Sequence, residues 1–308
     1  MASRHLDEII ERVREIGVDG TIVILAGPGA AAGGSKSADR LRQLARAGGL
    51  GVLNTWGAKG LFEWQDPHHL GTAGLQADDF VLAGLGDADL IIATGIDPHE
   101  APADRWQLAP HVSVAPRELA ALAEAWPLAP GVPARPPLYT RLAEIVQPLF
   151  ASDRVPLSPA RAVADLKAAL PPGGTVFAGA DLAGFWIART FPTSDLGSVS
   201  VPAQREPGSA AWAAVNAASS GRAAIAVTTA PYDLETDDAL AFAAASGIAF
   251  VLVVWGEGNV DRAADHGADL REAVASGRVR VVEVPIDWSD TDLLITVAGP
   301  IIAWGGRV

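Results

Sequence analysis

The chain contains no cysteine and only one methionine among its 308 residues. Without cysteine it can form no disulfide, use no thiolate nucleophile and bind no zinc ion or iron–sulfur cluster through sulfur. Basic residues are also scarce: 23 Lys and Arg stand against 36 Asp and Glu, and the formal net charge is -13. No Lys/Arg-rich run offers a surface for phosphate backbones, so we expect no nucleic-acid partner.

Long apolar runs are missing as well. No run in the sequence reaches the roughly 18 residues that a membrane-spanning helix needs. The N-terminal segment alternates charged residues with Ile9, Ile10, Val13 and Ile16 at helical spacing, which differs from a secretory signal peptide. We therefore expect a cytoplasmic protein with no membrane partner.

Short apolar runs, separated by segments long enough for helices, extend through both halves of the chain. They are continuous rather than alternating, as is typical of buried parallel strands. The runs cover residues 21–27, 50–55, 88–95 and 111–115, and then 175–181, 198–202, 223–229, 248–256 and 279–285. The fold class predicted is α/β, with two doubly wound, mainly parallel sheets of Rossmann-like or flavodoxin-like type.

A proline-rich segment separates the two halves. Five prolines stand between Pro127 and Pro137, and proline continues neither a helix nor a central strand. We expect this segment to be extended and to lead to a domain boundary near residue 150. The domains predicted are residues 1–150 and 151–308, because the chain is too long for one ordinary core.

The turn after the first predicted strand is rich in glycine. Gly27 and Gly29 stand at the carboxyl end of that strand, and Gly33 and Gly34 stand where a helix would begin. Glycines at this place let a backbone approach a phosphate or ribose, or they simply form a tight turn. No acidic residue ends the second predicted strand, which argues against a standard NAD site.

The long polar passage after the second predicted strand carries His68 and His69. Adjacent side chains diverge and no third metal ligand is evident, so solvated loop histidines are the favoured interpretation. In the second half, Asp181 follows a strand and precedes the pair Phe185 and Trp186. This pattern indicates either the lip of a pocket or a capped helix that buries its aromatic residues.

A second glycine-containing helix start lies at residues 207–209. Pro207, Gly208 and Ser209 are typical of the first turn of a helix, and such a turn can hold a phosphate. Helix capping alone explains the same residues. No self-sufficient catalytic motif is found, and no catalytic or metal-binding residue is predicted.

Taken in order, several motifs of the first half resemble the central domain of thiamine-diphosphate enzymes of the acetolactate synthase and 2-oxoacid decarboxylase family. The family has a glycine-rich turn, a T..KG stretch, an hP...G..G stretch and an aDL...G strand. The matching positions are Thr55, Lys59, Gly60, Pro67, Gly71, Gly74, Asp89, Leu90 and Gly95. The resemblance implies a cofactor-binding role for Thr55 and Lys59, and FAD or ADP on this domain, as in some members.

The second half resembles the diphosphate-binding domain of the same family. The segment 179–186 resembles its first cofactor loop, and residues 207–218 resemble its glycine-rich helix start. Family members hold magnesium with the Asp of a Gly-Asp-Gly triplet and with an Asn of an Asn pair. Laid over this chain without a gap, these positions fall on Thr229, Ala230 and Pro231, and on Gly256 and Glu257, so both side-chain ligands are absent. A shifted frame would bring in Asp233, Glu257 or Asn259 as an altered site, so the resemblance still allows thiamine diphosphate with magnesium on a degenerate motif.

The resemblance implies two hypotheses about function. In the first, the chain is inactive alone and joins a partner chain that supplies the pyrimidine-binding domain for 2-oxo acid or acyl-CoA carbon–carbon chemistry, as a lyase or transferase. The diphosphate side would then use Asp181, Pro207, Gly208, Ser209, Glu257 and Asn259. In the second, the chain is a pseudoenzyme, a structural or regulatory subunit that keeps FAD, ADP or CoA near Gly27 and Gly29.

The number of tryptophans bears on oligomeric state. Nine are present, and tryptophan is enriched in the cores of interfaces as well as in ordinary cores. We expect a homodimer, or a heteromer with a pyrimidine-domain chain.

Overall fold

The structure is a computed structural model that describes residues 4–306. The chain divides into two compact units, residues 1–141 and residues 142–308. Each unit contains one five-stranded sheet, and the paired strands are parallel. The predicted fold class is therefore confirmed.

The first unit has the sheet order β3-β2-β1-β4-β5. Its strands are β1 (Ile22–Ala26), β2 (Gly51–Thr55), β3 (His69–Ala73), β4 (Leu90–Thr94) and β5 (His111–Ser113). Its helices are α1 (Arg4–Ile16), α2 (Ser35–Gly48), α3 (Asp79–Leu82), α4 (Ala103–Trp106) and α5 (Leu119–Glu124). The strand order reverses between β1 and β4, and ligands of such sheets bind at the carboxyl ends of strands on either side of this point.

The second unit has the order β10-β9-β8-β6-β7 and reverses between β6 and β8. Helix α6 (Pro137–Phe150) leads into it. Its strands are β6 (Thr175–Ala178), β7 (Val199–Ser200), β8 (Ala224–Thr229), β9 (Val251–Trp255) and β10 (Arg280–Val284). Its helices are α7 (Pro159–Ala169), α8 (Leu182–Thr190), α9 (Ser209–Ser219), α10 (Leu234–Ser246), α11 (Ala263–Ala275) and α12 (Thr291–Ala298).

The nine strands predicted from apolar runs are all present, and the N-terminal helix buries Ile9, Ile10 and Val13 as its spacing predicts. Residues 127–136 form neither helix nor strand, which confirms the interpretation of the proline-rich segment. The two units divide between residues 141 and 142, inside α6, whereas the predicted boundary near residue 150 lies at the end of that helix.

Strand β3 was not predicted, because it lies inside the polar, glycine-rich passage. Its sequence, HLGTA, lacks an apolar run, yet all five residues are buried. Its polar side chains are accommodated by hydrogen bonds to β2: His69 Nε2 lies 3.0 Å from Asn54 Oδ1, and Asn54 Nδ2 donates to Thr72. The expectation of solvated histidines is wrong, since His68 and His69 are both buried.

The glycines after β1 are packed against the turn that follows β4. A Cβ atom on Gly27 would lie 2.3 Å from Gly95 O, and one on Gly29 would lie 2.8 Å from Gly95 Cα. The Gly27 and Gly29 amides donate to the carbonyls of Thr94 and Gly95, both at 2.9 Å. The tight turn therefore accounts for both glycines, and a nucleotide site beside them stays a prediction.

We predict that Gly27→Ala destabilises the first unit by about 1 to 3 kcal/mol, because the new methyl group overlaps the Gly95 backbone. Thermal and urea unfolding followed by circular dichroism measure the change. Gly131→Ala is the matched control, because nothing lies within 4 Å of a Cβ at that position. Equal stabilities for the two variants would contradict the close packing.

Candidate functional site

The candidate site is a cleft of about 280 Å³ in the second unit, at the carboxyl ends of β6 and β8. These are the two strands between which the strand order reverses, which is where such a sheet leaves a crevice. Four of the residues predicted from sequence line it together: Asp181, Pro207, Gly208 and Ser209. The fold thus brings the loop after β6 and the start of α9 to one place.

Asp181 ties the loop after β6 to the end of β8. Its Oδ2 atom accepts hydrogen bonds from the Thr229 amide and the Thr228 hydroxyl, both at 2.9 Å. Its Oδ1 atom accepts one from the Gly184 amide at 2.9 Å and so caps α8. Phe185 and Trp186 follow in the core, fully buried. The capped-helix interpretation is confirmed, and Asp181 shapes the wall of the cleft.

A second aspartate, Asp233, joins the starts of α9 and α10. Its Oδ2 atom accepts a hydrogen bond from the Gly208 amide at 2.9 Å, and its Oδ1 atom caps α10 by accepting from Thr236. Gly208 has φ of 65°, in the left-handed region that glycine favours. Burial opposes ionisation of Asp233, but the bonds from Thr236 and Gly208 outweigh it and lower the pKa of the carboxyl.

Acidic groups outnumber basic groups around the cleft. Asp181, Asp233 and Glu206 line it together with one cation, Arg205. The start of α9 offers partial positive charge, but the Gly208 amide is already bound to Asp233. A diphosphate without a bound cation would face more negative than positive charge here.

The two positions that the resemblance assigns to magnesium are adjacent in the structure. Ala230 follows β8 and Gly256 follows β9, and the Ala230 amide donates to Trp255 O at 2.9 Å. A Cβ atom on Gly256 would lie 3.9 Å from Ala230 Cβ and 3.7 Å from Trp288 Nε1. Magnesium requires oxygen ligands in near-octahedral arrangement, and neither side chain has an oxygen. These residues do not fit a magnesium diphosphate.

No other group of side chains in residues 4–306 replaces the missing ligands: none has three or more His, Asp or Glu residues placed to hold a metal ion. Glu257 is exposed on the loop after β9. Asn259 lines a separate polar hollow with Glu272, Arg280 and Glu283. The structure therefore does not bring Asn259 to the cleft that Asp181 lines.

Thr55 and Lys59, the remaining predicted cofactor residues, are buried inside the first unit. The Thr55 hydroxyl donates to Glu100 Oε2, and the Gly57 amide donates to the same atom at 3.0 Å. Lys59 Nζ lies 5.1 Å from the centre of the Trp64 ring. Thr55 thus connects the end of β2 to Glu100, beyond β4, and Lys59 packs near Trp64 in the passage between β2 and β3. A cofactor contact of either one stays a prediction.

Glu100 is a buried carboxyl group with a shifted pKa, and the sequence analysis did not identify it as a candidate site residue. It is only 1% exposed, and its Oε1 atom is buried without a hydrogen-bond partner. Burial raises its pKa to about 7, against the opposing bonds from Thr55 and Gly57. The one feature of the sequence that could have identified it is its position a few residues beyond β4, at the carboxyl edge of the sheet.

His69 also has a shifted pKa. Burial, and then the positive charge of Lys59, lower the pKa of His69 to about 3, so this imidazole is neutral.

We predict that Glu100 makes stability fall as pH rises from about 4.5 to about 7. In that window the folded chain keeps a proton that the unfolded chain releases, so the free energy of unfolding decreases with pH. The total change from this group is about 3 kcal/mol. Glu100→Gln, which is neutral at every pH, should flatten this slope in urea unfolding at pH 5 and pH 8. An unchanged slope in the variant would show that Glu100 ionises normally.

None of the helices in residues 4–306 is both long and apolar enough to span a bilayer.

Known proteins are similar to part of this sequence, and solved structures are similar to the fold of nearly the whole chain. Residues 13–126 match the model of the thiamine pyrophosphate enzyme central domain. No curated protein matches the chain.

Two solved structures share its fold. A thiamine diphosphate-dependent 4-hydroxybenzoylformate decarboxylase from Rhodococcus jostii RHA1 has a TM-score of 0.69 and 18% identity over 94% of this chain. A putative thiamin diphosphate-dependent enzyme from Mycobacterium smegmatis has a TM-score of 0.68 and 16% identity over 91% of this chain.

The chain corresponds to 65% and 64% of the lengths of these two proteins. At such identities the structures show the fold alone, whereas the family model identifies residues 13–126 by sequence. Residues 13–126 therefore match a thiamine pyrophosphate enzyme central domain, in agreement with the resemblance that the motifs of the first half indicate.

Proposed function

We propose that this chain is a non-catalytic subunit of the thiamine-diphosphate enzyme type, which does not perform magnesium-dependent 2-oxo acid chemistry by itself. The observation that carries the proposal is the pair Ala230 and Gly256. They are adjacent at the carboxyl ends of β8 and β9, where the metal would be held, and neither has a side-chain oxygen. A subunit in this form retains the fold and has a structural or regulatory role.

The charges of the cleft support the same proposal. Magnesium normally offsets the charge of a diphosphate, and here Asp181, Asp233 and Glu206 face a single Arg205. The two aspartates accept the hydrogen bonds that cap α8 and α10, and neither stands at a position that the resemblance, laid without a gap, assigns to magnesium. Both carboxylates therefore have a structural role that needs no cofactor.

A second candidate function is that of a split enzyme, in which another chain supplies the pyrimidine-binding domain. The cleft favours it, because the start of α9 and Arg205 remain at the point where a diphosphate would bind. By analogy with the 4-hydroxybenzoylformate decarboxylase of similar fold, the joint substrate would be a 2-oxo acid. In that enzyme, this chain would supply Pro207, Gly208 and Ser209, and magnesium would need a ligand from elsewhere.

We predict that thiamine diphosphate binding to the purified chain does not increase on addition of magnesium. Isothermal titration calorimetry with magnesium and with a chelator measures this directly, and pyruvate decarboxylation is assayed on the same preparation. A competent thiamine-diphosphate decarboxylase run in parallel is the positive control. Saturable, magnesium-dependent binding, or turnover of pyruvate, would refute the non-catalytic proposal.

The split-enzyme candidate makes a different prediction. Affinity purification of the tagged chain from an extract of its native host, followed by mass spectrometry, should recover a pyrimidine-domain protein in stoichiometric amount. Addition of that protein should then produce magnesium-dependent binding of thiamine diphosphate. Recovery of this chain alone favours the non-catalytic subunit.

A further inference from the structure

Strand β10 is one edge of the second sheet, and it pairs with β9. In a parallel pair, successive residues direct their backbone groups to opposite sides of the strand. Arg280 donates its amide at 3.1 Å to the carbonyl just before β9, and the Val284 carbonyl accepts at 3.0 Å from the amide just after β9. Val281 and Glu283 therefore direct their N–H and C=O groups away from the sheet, and no backbone hydrogen bond within residues 4–306 reaches these groups.

The outer edge of β10 borders a polar hollow of about 470 Å³. Four consecutive residues of the strand line this hollow, from Arg280 to Glu283. Because side chains alternate between the two faces of a strand, a hollow lined by four residues in a row lies beyond the edge of the sheet rather than above one face. The other lining residues come from α11 and from the loop after β9: Asp269, Glu272, Gly258 and Asn259.

The length of this edge suits a short extended segment. At the carboxyl end of β10, Gly258 packs against the backbone of Glu283, since a Cβ atom on Gly258 would lie 2.9 Å from Glu283 O. The open part from Arg280 to Glu283 corresponds to about 13 Å of extended chain. The opposite edge strand, β7, has only two residues, and a very short edge strand gives little opportunity for further pairing. The edge formed by β10 lacks that protection.

The charges of the hollow indicate the kind of segment that fits. Three carboxylates, Asp269, Glu272 and Glu283, line it together with one cation, Arg280. All three carboxylates belong to exposed residues. Val281, which is 42% exposed, lies on the same face of β10 as Glu283 and adds an apolar contact. A segment with basic residues between apolar residues is complementary to this arrangement.

Basic residues near the hollow do not offset its carboxylates. Arg271, on α11, lies beside Gly267, and Arg278 lines a different hollow with Phe250. A second copy of this chain would bring the same excess of negative charge to the edge, so two copies would repel each other there. The occupant that the charges favour is therefore a different chain.

We propose that the outer edge of β10 binds an extended segment of another protein, which carries Lys or Arg between apolar residues and adds to the sheet as a further strand. Val281 supplies an amide and a carbonyl, and Glu283 supplies an amide. Asp269 and Glu272 receive the basic side chains. The proposal goes beyond the role of the cleft and does not depend on it, since the hollow and the cleft have no lining residue in common.

Fluorescence anisotropy with the full chain and a labelled, capped peptide Lys-Val-Lys-Val-Lys-Val tests the proposal. The peptide should bind saturably. The same peptide with every backbone amide methylated keeps its charges but cannot donate hydrogen bonds, and it should bind about tenfold more weakly, because it loses one or two such bonds. Equal binding of the two peptides, or no binding of the first, would overturn the proposal.

Val281→Pro tests the same contact from the side of the protein. It removes the outward amide and leaves the hydrogen bonds between β10 and β9 in place, because proline is tolerated where the amide of an edge strand faces outward. Affinity for the unmethylated peptide should fall about tenfold. Val132→Pro is the matched control, because Val132 is exposed and lies outside helices and strands in the first unit. Circular dichroism checks that both variants fold, and a folded Val281→Pro variant with unchanged affinity would contradict the edge contact.

The double variant Asp269→Asn/Glu272→Gln tests the charge of the hollow. It should weaken binding of the unmethylated peptide and reduce the dependence of affinity on salt. Glu15→Gln/Asp19→Asn removes the same charge from exposed positions of the first unit and should change neither. Equal effects of the two double variants would show attraction by net charge alone and would overturn the proposed site.

Light scattering distinguishes the remaining occupant, a second copy of this chain. A wild-type dimer that Val281→Pro converts to a monomer would assign the edge to self-association and would overturn the proposal. A mass that Val281→Pro leaves unchanged, together with loss of peptide binding in that variant, is the expected result.

Discussion

The second unit depends on the bonds that Asp181 makes across the point where its strand order reverses. β6 and β8 pair within the sheet as far as Ala178 and Val227, and beyond these residues the loops after the two strands leave in opposite directions. Asp181 accepts from Thr228 and Thr229 on one side and from Gly184 on the other. The position of α8 against the end of β8 follows from this carboxylate, whereas Asp233 holds the start of α9 through the Gly208 amide.

The ends of β8 and β9 are held together by backbone hydrogen bonding and apolar packing at the place where the resemblance expects a metal ion. Ala230 and Gly256 meet at the ends of β8 and β9, and the Ala230 amide is bound to Trp255 O. Trp255 is fully buried and its ring lies 6.1 Å from that of Trp288. Apolar contact therefore holds the two strand ends together where an ion would otherwise connect them. This contact between the strand ends does not depend on a metal ion.

Much of the fold could be predicted from sequence because buried parallel strands are continuous apolar runs, and every such run became a strand. Strand β3 could not be predicted in this way. Its burial depends on partners distant in sequence, Asn54 for His69 and Thr72, and periodicity carries no information about such pairing. The clustering of Asp181 with Pro207, Gly208 and Ser209 follows from topology and resemblance together. The buried Glu100 could not be predicted, since its environment is made by Thr55 and Gly57, over forty residues earlier.

Because Asp181 and Asp233 cap helices, finding them in a related sequence says little about whether that protein binds a cofactor. Both carboxylates stand in a cleft that looks like a cofactor site, yet each is required by the backbone that surrounds it. Selection for folding alone would preserve them long after any ligand was lost. Their presence in a related sequence is therefore no sign that a cofactor binds, whereas an oxygen-bearing side chain in place of Ala230 or Gly256 would be.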